Sequence, residues 1–128
     1  DASAVAAEEV VAQVRRMGQK AVTVRAGVLV AEASMALLPR AAEALQGPVT
    51  CLVNNASIFE PDLLQTATLT SWDRHFDSNL RAPFLLTQAM AQQPVAQQRD
   101  HAGEALAWGL VVNMIDQRVH NLAPVFMT

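Results

Sequence analysis

Three places in this chain carry residues able to do chemistry. Asn54, Asn55, Ala56 and Ser57 follow an apolar run at 49–53, Asn79 sits 25 positions beyond Asn54, and Asp116 closes a second apolar run at 108–115. An asparagine amide both donates and accepts, so a pair of them at the end of a strand can brace a neighbouring strand and meet a ligand. Ligands of open α/β sheets collect beyond the carboxyl ends of the strands. The competing reading of Asn54 and Asn55 is a polar turn, where asparagine is common. Asp116 likewise either accepts two hydrogen bonds from a ligand or caps a turn. Cys51 lies inside the first run and is expected to pack as a small hydrophobe rather than to react. His75, His101 and His120 show no metal-ligand spacing with one another or with Cys51, so no metal site is expected. Asp116, Arg118 and His120 alternate by two and read as a charge cluster at a pocket rim.

The elements that position these residues alternate in type. Ser3 is a plausible N-cap for a helix reaching about Met17, with Ala4, Ala7, Val10, Val11 and Val14 near one face and Gly18 ending it. Residues 20–25 alternate and are rich in Val and Thr, which suits a strand, and Ala26 and Gly27 release the chain at its end. The pattern predicts a second helix over 32–45, late-starting or bent because of Pro39, and stopped by Gly47 and Pro48. Residues 49–53 are then a buried parallel strand: too short for a helix, and preceded by a helical pattern as a βαβ unit requires. Residues 58–69 lack any period, carry Pro61 and read as a loop over the crevice. Thr70 is the expected cap of a long helix to about Gln92, with Trp72, Phe76, Leu80, Phe84, Leu85 and Ala89 as its buried stripe and Pro83 kinking or dividing it. The glutamine-rich stretch 92–103 is a surface excursion. A last strand over 108–115 delivers Asp116 to the same edge as Asn55, because parallel strands end on one side.

Composition narrows the function classes. A net charge of −3 and a pI near 5.5, with no Lys/Arg cluster, argue against a nucleic-acid partner. No apolar stretch is long enough to span a membrane, no basic-then-apolar leader is present, and one cysteine cannot form an internal disulfide. A cytoplasmic location is the resulting expectation. An apolar fraction of 52% with 16% charged residues suggests surfaces meant to be covered.

The stretch 52–64, LVNNASIFEPDLL, resembles the short-chain dehydrogenase/reductase family, whose members carry Asn-Asn-Ala-Gly at the end of a central strand. Ser57 in the glycine position, followed by Phe59, is similar to the pteridine reductase branch. The stretch 77–84, DSNLRAPF, resembles the helix bearing that family's active-site Asn. The stretch 110–116, LVVNMID, resembles the next strand, with Asp116 where most members have a catalytic Ser and pteridine reductases have Asp. The glycine-rich turn that opens the family domain and its Tyr-x-x-x-Lys motif do not occur here; the chain has no Tyr. The resemblance therefore implies that residues 1–128 are the central part of a single dinucleotide-binding domain. Its fold would be α/β, a doubly wound parallel sheet of Rossmann type in three layers, incomplete at both ends.

The resemblance also implies an activity: hydride transfer from NADPH, with NAD not excluded, to a pterin-like or carbonyl small molecule. The cofactor carries the redox chemistry and the protein orients it. Asp116 and Asn79 are the implied catalytic residues; Asn55, Ala56, Ser57, Gly27, Val28, Met114 and Ile115 would hold the cofactor; Phe59 and Asp116 would hold substrate. Gly27 replaces the Asp that the family places there, which leaves the Val28 amide to meet the adenine. Phe59 either stacks on a substrate ring or plugs the core. Asn79 is a poor residue for mid-helix, which points to a specific partner for its side chain. A homodimer or homotetramer through the long helix is expected. The alternative is a nonenzymatic truncated remnant acting as an association module, disfavoured because bare central sheet edges aggregate. The intact mass of the protein separates the two.

Overall fold

The computed structural model describes residues 2–116 and residue 120. Its elements in chain order are α1 (Ala2–Arg16), α2 (Ala31–Leu45), β1 (Cys51–Asn54), α3 (Leu69–Phe76), a π-helical turn (Asp77–Arg81), α4 (Ala82–Ala91) and β2 (Leu110–Asn113). The two strands pair in parallel, with Cys51 opposite Leu110 and Asn54 opposite Asn113. Their order and direction match the sequence expectation, and each is shorter than its apolar run because only the hydrogen-bonded rungs count as strand.

Both of the first two helices end in a reversal that ties up their last carbonyls. After α1, Gly18 takes φ +78° while Gln19 N–H donates to Val14 O and Gly18 N–H to Arg15 O. After α2 the same pattern forms with Gly47 N–H on Ala42 O, but the left-handed residue is Gln46, φ +59°, rather than a glycine. The helix thus ends at Leu45 as expected, with Gln46 rather than Gly47 making the reversal. Helix α2 runs unbroken past Pro39, which deprives Met35 O of its α-helical donor. Its first turn is anchored by Ser34, fully buried, whose hydroxyl donates to Val28 O.

The strand expected over 20–25 does not form. A strand needs a ladder, and these residues pair with no other strand among the described residues. Side chains hold the segment instead: Arg15 donates twice to Ala21 O, Thr23 bonds Glu8, and Arg40 donates to Arg25 O.

Helix α4 packs on α2 and on β1, covering one face of the strand pair. Leu52 and Asn54 turn toward that covered side, while Cys51 and Val53 turn away and are exposed. The expected burial of Cys51 is therefore corrected: in a strand covered on one face, every second side chain stays open. Gly109 lies where β2 enters beside α4, and a Cβ there would stand 2.6 Å from the Met90 methyl.

The long helix differs from expectation in three ways. Its cap is Thr68, not Thr70: Thr68 Oγ1 accepts from Ser71 N–H and Ser71 Oγ accepts from Thr68 N–H, a reciprocal capping box. It is divided by the π-helical turn just ahead of Pro83, which falls in the first turn of α4 where a missing N–H costs little. Finally, its buried face is formed by His75, Ser78, Ala82 and Met90, while Trp72, Phe76, Leu80 and Phe84 are 36–60% exposed. The face turned to the loop is the one whose side chains bond it, His75 to Glu60 N–H and Asn79 to Ile58. Trp72 and Phe76 stack on each other, centroids 4.1 Å apart.

The excursion after α4 is ordered. Gln93 grips the start of β1 with both ends of its amide, accepting from Val49 N–H and donating to Val49 O, each at 2.8 Å. Asp100 Oδ1 accepts from the amides of Ala102 and Glu104, and Arg99 bridges to Ala105. Among the described residues no helix is long and apolar enough to cross a membrane.

Candidate active site

The parallel register sets two asparagines side by side. Asn54 and Asn113 are partners on adjacent strands, and Asn54 Nδ2 donates to Asn113 Oδ1 at 2.8 Å. Beyond this rung, Met114 N–H donates to Asn54 O at 3.0 Å, so both chains leave the sheet together. Asn54 is buried, and its own Oδ1 has no donor among the described residues. It braces the strands, which leaves Asn55 as the amide presented beyond them.

Past the strand ends lies a cavity of about 680 Å³. One wall is Asn54, Asn55, Ala56, Ser57 and Ile58; the second is Asn113, Met114, Ile115 and Asp116; the third is Asn79, Leu80, Pro83, Phe84 and Thr87 from the divided helix. The three sequence clusters thus meet at one place, with amides and a carboxylate against apolar surfaces. That combination suits a flat, partly polar ring. Asp116 stands exposed at its edge. Arg118 lies outside the described residues.

Asn79 binds backbone with both ends of its amide. Its Nδ2 donates to Ile58 O and its Oδ1 accepts from Ile58 N–H, both at 2.9 Å, as a strand neighbour would. This accounts for a poor helix former in mid-helix. It is also the first of three matching contacts: Glu60 N–H donates to His75 Nε2 at 3.1 Å, and Ser71 Oγ donates to Asp62 Oδ2 at 3.2 Å. Loop residues 58, 60 and 62 are fastened in order to helix residues 79, 75 and 71. The fit is geometric, because two extended residues and four helical ones each advance about 6 Å. Arg74 reinforces the middle with an ion pair to Glu60 at 2.6 Å. The role of His75 escaped the sequence reading, although the four-residue spacing of Ser71, His75 and Asn79 was visible in it.

Not every expected site residue lies here. Phe59 is 48% exposed and flanks Ile58 without forming part of the cavity wall. Gly27 and Val28 lie in the turn before α2, where Gly27 O accepts from Val30 N–H and Val28 O from Ser34. No cluster of three or more potential metal ligands exists among the described residues.

Comparison with known proteins bears on family and fold. The chain is 36% identical over 86 residues to a short-chain dehydrogenase/reductase, FrzI, of a Cladobotryum species, covering 67% of this chain and 33% of that protein. The structure of FolM alternative dihydrofolate reductase 1 from Brucella suis in complex with NADP superposes with a TM-score of 0.79 at 33% identity, over 94% of this chain and 45% of that one. A short chain dehydrogenase from Burkholderia cenocepacia in complex with NADP gives a TM-score of 0.79 at 27% identity, over 98% of this chain and 46% of that one. The chain thus spans from a third to just under half of the proteins it matches, and within that span it has their α/β fold with a parallel sheet. The short chain dehydrogenase family model matches residues 1–114, and the chain belongs to that family.

Proposed function

We propose that the protein is an NADP(H)-linked reductase whose substrate is a pterin-like ring or, failing that, a simple carbonyl compound. The observation that carries this reading is the meeting of Asn55, Ala56, Ser57 and Asp116 around one cavity at the carboxyl ends of two paired parallel strands. In this reading, Asn55, Ala56 and Ser57 on one side and Met114 and Ile115 on the other frame the nicotinamide, and the Val28 amide beyond Gly27 meets the adenine. Apolar side chains of Ile58, Leu80 and Phe84 exclude water from the ring face. NADPH, when bound, supplies the hydride. Binding of NADP by the similar Brucella and Burkholderia proteins supports the choice of cofactor.

Asp116 is assigned to the substrate. A carboxylate accepts two hydrogen bonds, which suits a ring that presents amino and N–H groups and favours a pterin over a ketone. Phe59 offers a stacking face worth about 1 kcal/mol. Asn79 acts by holding Ile58 and through it the loop at the cavity wall. The residues of this chain include no Tyr, so the group that delivers the proton is not assigned among them. The exposed, mutually stacked Trp72 and Phe76, which lie outside the cavity lining, support association into a homodimer or homotetramer through the divided helix.

The test is consumption of NADPH by the full-length protein with an oxidised pterin as substrate. Asp116→Ala is expected to lower kcat/KM by about 100-fold or more. Turnover of ketones but not pterins would move the substrate to the carbonyl class, and an undiminished Asp116→Ala would remove Asp116 from the site.

A further inference from the structure

We draw no further inference here: the strongest candidate, the apolar cavity of about 650 Å³ between α2, α4 and the segment 93–96, lined by Met35, Pro39, Ala42, Leu85, Ala89 and Val95 among others, carries nothing because no feature of the structure shows what covers it.

Discussion

Asn54 and Asn113 show how much one rung of a parallel pair can carry. Their side-chain hydrogen bond sits where the strands release their chains toward the cavity, so it fixes the separation of Asn55 from Asp116. Asn113→Ala would leave the buried Asn54 amide without its acceptor and is expected to cost about 1–3 kcal/mol, read as a lower denaturant midpoint at unchanged slope. The sequence left Asn54 and Asn55 open between a polar turn and a strand brace, and the pairing of Asn54 with Asn113 needed the register of the two strands. Asn79 was legible as an anomaly, a poor helix former in mid-helix, and the structure supplies its partner in Ile58. Cys51 was misread because its burial depends on which face of the strand pair is covered, and a run of apolar letters does not say that.

At the scale of elements, local chemistry explains where helices stop. Gln46 occupies a left-handed position that an L side chain enters at a cost of roughly 1–2 kcal/mol, offset little by the 3.4 Å contact from Lys20 Nζ to its Oε1. Gln46→Gly is therefore expected to stabilise the protein by about 1 kcal/mol and raise its melting temperature, whereas most glycine substitutions do the opposite. Thr68→Ala removes half of the capping box of α3 and should destabilise by about 1 kcal/mol in the same assay. The helices and the loop expected over 58–69 were readable from glycines and missing period, whereas both expected caps, Ser3 and Thr70, fall inside the helices they were to start. Two features were not: residues 20–25 have the composition of a strand but no ladder to join among the described residues, and α3 and α4 bury His75, Ser78, Ala82 and Met90 rather than the larger apolar stripe. The π-helical turn at Asp77–Arg81 ends two residues before Pro83, which marked the division in the sequence without specifying its form.

For the molecule as a whole, the parallel order of β1 and β2, with α4 laid across one face, brings three distant segments to one cavity. That convergence was inferable from the rule that parallel strands end on one side, and it is the strongest link from sequence to site. The opposite face of the strand pair and the row from Trp72 to Phe84 are apolar and exposed, in a chain that spans less than half of its solved relatives. In the proposed function, Asp116 and the Asn55–Ser57 turn form one NADPH-dependent site. Its most direct test is the near-ultraviolet absorbance of NADPH in the presence of the full-length protein and an oxidised pterin. A steady fall is expected that requires both protein and pterin and drops about 100-fold in Asp116→Ala; a fall that persists undiminished in that variant, or none with any pterin or carbonyl substrate in the parent, would remove this site from the protein's function.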